Sequence, residues 1–222
     1  MEERYTRNIG SLTEKEQEII NSKKVLVAGC GGLGGYVIEY LVRSGVKQLT
    51  VCDGDVFDVS NLNRQLNATE LSLGKSKALA AKERVLTINS KADVTAVNGL
   101  ITEENADSLV EGCDIVIDAL DNVESRIVLE KACERAGVPF VFGGVSGWYG
   151  SVSTVYPGDR TIEKMYSGFP KPKSPSVICP AVAAIAAFEV AEALKVMLGG
   201  GDLRKKMLMV NLKQLGMRVV DL

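Results

Sequence analysis

Short apolar runs alternate along the chain with stretches whose apolar positions recur every three or four residues, the pattern of a parallel sheet covered by helices. Residues 24–28 (KVLVA), 48–53 (QLTVCD), 92–98, 114–118 (DIVID) and 139–143 read as strands. Between the first two, residues 33–44 carry Leu33, Val37, Ile38, Leu41 and Val42 on one helical face. Residues 75–88, 103–111 and 125–136 read as further helices, with Thr102 the expected N-cap of the helix that follows it and Gly137 the stop of the last.

The last third changes character. Residues 150–156 alternate as a strand, and residues 157–175 mix Gly, Pro, Lys and Ser with little periodicity, which predicts a mobile surface loop. Residues 179–198 form a long Ala-rich helix with Pro180 in its first turn, where a missing N–H is harmless. Beyond Gly199, Gly200 and Gly201, residues 206–211 and 217–221 read as two more strands.

The chemistry starts at the first turn. Gly29, Gly31, Gly32 and Gly34 sit between the first strand and the first helix, where glycine lets phosphate approach backbone N–H groups at a helix N-terminus. Asp53 ends the second strand, placed to accept from a ribose hydroxyl. Strand, turn, helix and acid in that order point to a nucleotide, without choosing between NAD and ATP. The expected fold is Rossmann-like and doubly wound: a mainly parallel sheet continued by antiparallel C-terminal strands, with helices on both faces.

Composition narrows the chemistry further. The 222 residues include no histidine, which excludes Ser-His-Asp and Cys-His nucleophile pairs and His-ligated metals. With 26 Lys plus Arg against 28 Asp plus Glu, the near-neutral balance argues against a broad nucleic-acid surface. The five cysteines lie far apart in sequence, and the start of the chain is polar, so a reduced, cytoplasmic protein with no membrane span is expected.

Further along, Asp53-Gly54-Asp55 leads into Ser60-Asn61-Leu62-Asn63-Arg64-Gln65, then Gly74-Lys75-Ser76-Lys77 and later Asp121-Asn122-Val123-Glu124-Ser125-Arg126. This order and spacing resembles the HesA/MoeB/ThiF family, relatives of the ubiquitin-activating enzymes, over nearly the whole chain. The resemblance implies a single adenylation domain over residues 1–222: an N-terminal arm and helix (1–22), a nucleotide-binding half (23–143) and a carrier-binding half (144–222) with the loop 157–175. It implies ATP-dependent adenylation of the C-terminal Gly-Gly carboxylate of a small ubiquitin-like sulfur-carrier protein, of the kind that serves thiamine or molybdopterin synthesis. A carboxylate is already ionised at neutral pH, so the reaction needs no histidine, only positive charge and a metal around the phosphates.

By the same resemblance Arg64, Lys77, Asp121 and Arg7 are the catalytic residues. ATP is bound by Gly29, Gly31, Gly32, Gly34, Asp53, Asp55, Ser60, Asn61, Arg64, Lys77, Asp121 and Asn122, and Asp121 holds Mg²⁺. Arg7 implies a homodimer, because in the family the matching arginine reaches the active site of the other subunit. Arg126 is read as a brace of local structure. Trp148 and Tyr149 are read either as a contact surface for the carrier or as core aromatics under the loop, which would close over the carrier tail as a strap.

The sequence departs from many relatives in two respects. It has no pair of C-x-x-C motifs, so no structural zinc is expected, and residues 157–175 contain no cysteine for sulfur or thioester transfer. A separate sulfurtransferase would then act after the adenylate. Cys179 is either a thiol activated by a helix N-terminus or a small buried residue. Three alternatives stay open: a small-molecule or RNA-nucleoside carboxylate as the acceptor, an NAD-dependent oxidoreductase, and a nucleotide-binding scaffold without catalysis.

Overall fold

A computed structural model describes residues 2–167 and 176–222. The elements are α1 (Glu14–Ser22), β1 (Lys24–Ala28), α2 (Gly32–Ser44), β2 (Gln48–Cys52), α3 (Lys77–Ile88), β3 (Asp93–Val97), α4 (Ala106–Val110), β4 (Ile115–Asp118), α5 (Val123–Ala136), β5 (Phe140–Ser146), β6 (Tyr149–Val155), α6 (Thr161–Tyr166), α7 (Cys179–Met197), β7 (Lys206–Asn211) and β8 (Gly216–Asp221). The strands form one sheet in the order β3-β2-β1-β4-β5-β6-β7-β8. β1 to β5 pair in parallel, and β6, β7 and β8 each join antiparallel. The fold is the expected doubly wound one.

Successive residues of β1 bury on opposite faces, as helices on both sides of a sheet require. Val25 and Val27 pack in one core with Leu41 of α2, Val85 of α3 and Ile185 of α7, while Leu26 and Ala28 join Val110 of α4 and Leu129 of α5 in the other. Strand order reverses between β1 and β4, and the two chain segments that leave those strands are in contact. A Cβ on Gly29 would stand 2.6 Å from the Ala119 carbonyl oxygen, and one on Gly34 would collide with the Gly29 carbonyl. Gly29 also has φ +96°, a left-handed conformation that glycine adopts without strain.

Two local expectations are corrected. Thr102 does not cap a helix: its N–H donates to Asn105 Oδ1, the Asn105 amide donates back to the Leu100 carbonyl, and α4 starts only after that closed turn. The expected loop 157–175 contains α6. Buried Glu130 of α5 accepts from the N–H groups of Ile162 and Glu163 at 2.8 and 2.9 Å, so a carboxylate from a distant element caps this helix. The remainder of that loop, residues 168–175, lies outside the described residues, as does the strap expected there.

Gly34→Ala is expected to destabilise the fold by roughly 1–3 kcal/mol or more, the range for overpacking a filled site. Gly216→Ala, where a Cβ meets nothing, should stay within about 0.5 kcal/mol of wild type. Urea unfolding midpoints compare the two directly.

Candidate functional site

At the switch point the carboxyl ends of the strands open into a cleft of about 740 Å³. Gly29, Gly31 and Gly32 form its inner wall, and Asp53, Asp55, Arg64, Lys77, Asp121 and Asn122 line it as well. Ten of the residues expected to act on a nucleotide are therefore at or beside one cavity, counting Gly34, which lets the turn close behind it.

The acid at the end of β2 organises the turn. One carboxylate oxygen of Asp53 accepts from the Cys30 N–H at 2.7 Å, and the other accepts from the Asp55 N–H at 2.8 Å. Burial pushes the Asp53 carboxyl up, while these two N–H groups and the nearby Lys77 charge oppose the rise. Asp53 thus braces the glycine turn from β2, and its remaining lone pairs face the cleft.

Lys77 is not the exposed lysine its neighbours Lys75 and Lys82 suggest. It opens α3, whose N-cap is Ser76, and its side chain is only 8% exposed. Its Nζ lies 2.9 Å from Asp55 Oδ2, a carboxylate that is itself 63% exposed and free to swing into solvent. Arg64 stands opposite, its Nη1 donating to the Ser60 carbonyl and to Asn63 Oδ1. Those two contacts engage one edge of the guanidinium with neutral oxygens, and among the described residues it has no carboxylate partner.

Ser60 and Asn61 are not on the cleft wall. Asn61 is buried, its Oδ1 accepting from the Asp58 N–H, while Asp58 Oδ1 accepts from the Ser60 N–H. Both residues fold the short 3-10 turn Val59–Asn61 that presents Arg64. Asn122 likewise has a structural task, its Oδ1 capping α5 at the Ser125 N–H, but it also borders the cleft. Asp121 beside it is exposed, and among the described residues its carboxylate accepts only from the Asn122 amide at 3.5 Å.

Arg126 is the expected brace. Its guanidinium pairs with the buried Asp118 at 3.2 Å, donates to the carbonyls of Leu120 and Gly143, and lies over the Phe142 ring at 4.6 Å. It ties the segment after β4, which carries Asp121, to β5. Beneath Gly143, Glu189 of α7 is fully buried with neither carboxyl oxygen hydrogen-bonded among the described residues. Burial pushes its carboxyl well above the usual range, the Asp118 charge adds to the rise, and Arg126 opposes it. Burial thus favours the protonated form of Glu189.

Arg7 is in the 3-10 helix Glu3–Asn8, which is anchored at the other end of the sheet. Arg4 of that helix donates to the Ile88 carbonyl at the end of α3, and Glu2 just before it pairs with Lys47 just before β2. Arg7 is exposed and does not line the cleft of its own chain. Trp148 and Tyr149 are 44% and 52% exposed, which removes the core-aromatic reading. Cys179 is partly exposed at the start of α7, its thiol 3.0 Å from the Tyr36 hydroxyl.

The cleft has more walls than the motifs indicated. Gln65 lines it beside Gly31, and Gly99, Leu100 and Ile101 form an apolar wall across from Asp53. That wall follows β3 directly, so the rule that ligands bind at the carboxyl ends of parallel strands was the available signal. Beyond β5 the cleft continues over Gly144, Ser151, Met207 and Met209. Among the described residues no group of three or more His, Cys, Asp and Glu is arranged to hold a metal, and no helix is long and apolar enough to cross a membrane.

These features define an α/β domain of the doubly wound class with a cation-lined cleft at its switch point. The chain matches the ThiF family over residues 5–222 and belongs to it. It is 34% identical over 205 residues to the sulfur carrier protein ThiS adenylyltransferase of Bacillus subtilis, an alignment covering 88% of this chain and 61% of that protein. It is 30% identical over 221 residues to the probable molybdopterin-synthase adenylyltransferase of Gracilaria tenuistipitata, covering 93% and 61%. The chain thus spans about three fifths of the length of these relatives. The crystal structure of E. coli MccB with ATP shares the fold, with a TM-score of 0.85 at 23% identity over 100% of this chain and 71% of that one.

A carboxyl that holds its proton more tightly folded than unfolded lowers stability as pH rises above the ordinary carboxylate range. Glu189→Gln keeps the shape and the neutrality without the proton. Its melting temperature, relative to wild type, is expected to be higher at about pH 8 than at about pH 4. A difference that does not change with pH means that Glu189 does not titrate in the folded protein.

Proposed function

We propose that the chain is an ATP-dependent adenylyltransferase that activates the C-terminal Gly-Gly carboxylate of a small ubiquitin-like sulfur-carrier protein. The observation that carries this reading is the placement of a buried Lys77 and of Arg64, which has no carboxylate partner among the described residues, on one cleft with the glycine turn. A dinucleotide used for hydride transfer gives no role to both cations. The two relatives named above as adenylyltransferases support the same choice.

In the proposed reaction a carboxylate oxygen of the carrier attacks the α-phosphorus of ATP. The bond from that phosphorus to the oxygen bridging it to the β-phosphorus breaks, and pyrophosphate leaves with the electron pair. No proton moves, so a site without imidazole suffices. The N–H groups of the glycine turn hold the phosphates, and Asp53 orients the ribose while keeping the turn closed. Lys77 exchanges its partner Asp55 for a phosphate oxygen, and Arg64 faces the charge that builds on the leaving group.

Asp121 suits a magnesium ion, since it is an exposed hard-oxygen carboxylate on the cleft with no cation paired to it among the described residues. When bound there, magnesium would neutralise phosphate oxygens. The parallel half, residues 23–143, thus takes the nucleotide and residues 144–222 take the carrier. In a homodimer Arg7 completes the site of the partner, which accords with its position at the far end of its own sheet. A separate sulfurtransferase then consumes the acyl-adenylate.

Pyrophosphate exchange into ATP, measured with a Gly-Gly-ended carrier, is expected to fall on the order of 10²-fold or more in Arg64→Ala and in Lys77→Met. Adenosine binding should stay near wild type in both, because neither cation is assigned to the nucleoside. Exchange at wild-type rates would remove these residues from the mechanism. Mixing Arg7→Ala with Arg64→Ala protomers tests the composite site. Each mixed dimer regains one intact site, so an equal mixture should recover about a quarter of wild-type activity, while no recovery sinks the in-trans role.

A further inference from the structure

Helix α7 meets the sheet over two glycines. Ile185 fills the place that a Cβ of Gly150 would take, and one turn further on the carboxyl of Glu189 lies flat against Gly143. A Cβ on Gly143 would stand 2.4 Å from Glu189 Oε2 and 2.8 Å from Oε1. Glu189 is fully buried there, and neither oxygen has a hydrogen bond among the described residues. Burying a polar group without a partner costs stability, and the adenylation chemistry gives this one no step.

The Asp118–Arg126 pair lies on the opposite face of the sheet. Gly143 follows Phe142 in β5, so Glu189 is on the Val141 side of the strand, and Arg126, over the Phe142 ring, is on the other. Arg126 donates to the Gly143 carbonyl at 3.1 Å, so this one residue is touched from both faces. The pair also clamps a peptide of the cleft wall at both ends. Asp118 Oδ1 accepts from the Leu120 N–H at 3.1 Å, and Arg126 donates to the Leu120 carbonyl. Leu120 and Asp121, the next residue, both line the cleft.

We propose that Glu189 is a positioning residue for the cleft: its charge state sets whether Arg126 stays on the Leu120 carbonyl, and through that clamp it holds or releases the segment that carries Asp121. Neutral Glu189 leaves the guanidinium to Asp118 and the two carbonyls. Ionised Glu189 is a second carboxylate competing for the same cation, and a guanidinium turned toward it gives up the Leu120 carbonyl. No other charge acts on Glu189. Glu192, on the next turn of α7, accepts from Thr154 and from the N–H groups of Asp202 and Leu203. In α2, Glu39 is paired with Arg43 and Arg84, and Tyr36 with Cys179. β5 has no titratable side chain, and β6 has only the exposed Tyr149. Burial and the Asp118 charge favour the protonated form, which gives way to the ion as pH rises above the ordinary carboxylate range. The clamp is therefore closed at low pH and loosens at high pH.

Amide hydrogen exchange of the full chain tests this without any ligand. The Ala119 N–H is bonded to the Ala28 carbonyl and the Leu120 N–H to Asp118, so both report on the clamp. Between about pH 6 and about pH 9, their protection in wild type relative to Glu189→Gln at the same pH is expected to fall about fivefold or more. Glu189→Met, which also has no proton to lose, should behave as Glu189→Gln does. The second readout is ATP affinity, which rests on the adenylation reading. It is expected to weaken over the same pH range in wild type and to vary less in both variants. Protection ratios that do not change with pH overturn the proposal, even where the melting temperatures differ, because a purely structural role moves stability and not the clamp. If ATP binds at no pH, the adenylation reading falls, while the exchange ratios still decide the role of Glu189.

Discussion

Everything in the cleft depends on how closely two pieces of backbone approach at the switch point. The turn after β1 lies against the segment after β4, with no room for a Cβ on Gly29 or behind it on Gly34. That approach aims the N-terminus of α2 into the cavity and brings the Cys30 N–H within 2.7 Å of Asp53. It also sets where Ala119 and Leu120 lie, and through them the position of Asp121. A side chain inserted at this crossing would widen it and separate the backbone donors from the acid and from the loop that faces them.

The second constraint is electrostatic. Arg126 is buried with Asp118 as its ion-pair partner and with two carbonyls and an aromatic face as further contacts, which together offset the loss of hydration. One guanidinium cannot neutralise two carboxylates at that depth. Burial, and then the Asp118 charge, push the Glu189 carboxyl up, against the opposing charge of Arg126. The rim of the cleft has the opposite arrangement. There a buried Lys77 is paired with Asp55, a carboxylate that is itself mostly in solvent. The fully buried Asp118–Arg126 pair thus sits below the floor, and a half-solvated pair borders the cleft.

Local patterns in the sequence were sufficient wherever one segment decides its own structure. The glycine turn between a buried strand and an amphipathic helix, the acid closing β2, and the Pro at the start of α7 all follow from neighbours in sequence. What escaped depends on partners far along the chain. Helix α6 exists because Glu130, more than thirty residues earlier, caps it. The expected cap at Thr102 gave way to the side chain of Asn105, which closes the preceding turn. Lys77 was singled out by its motif, but its burial and its pairing with Asp55 were not legible, because they come from the packing of the Asp53 to Asp55 segment against the start of α3. Asn61 and Ser60 were legible as motif members, but their geometry makes them builders of the turn under Arg64. Glu189 gave no warning, since an acid in an Ala-rich helix ordinarily reads as its solvent face.

The antiparallel extension explains why such a cleft can be long as well as deep. A parallel sheet needs crossover helices, which cover both faces and confine a ligand to the carboxyl ends of its strands. Hairpin connections carry no such helices. Beyond β5, α7 still packs one face, with Ile185 filling the space that Gly150 leaves, while on the other face the short α6 joins the core among the described residues. The sheet therefore extends the floor of the cavity beyond the switch point, at one strand spacing per step. Its relief is set by the side chains that alternate toward that face: glycine and serine near the turn, methionine farther out. The same connectivity that ends the parallel half of the sheet thus extends the cleft beyond the switch point.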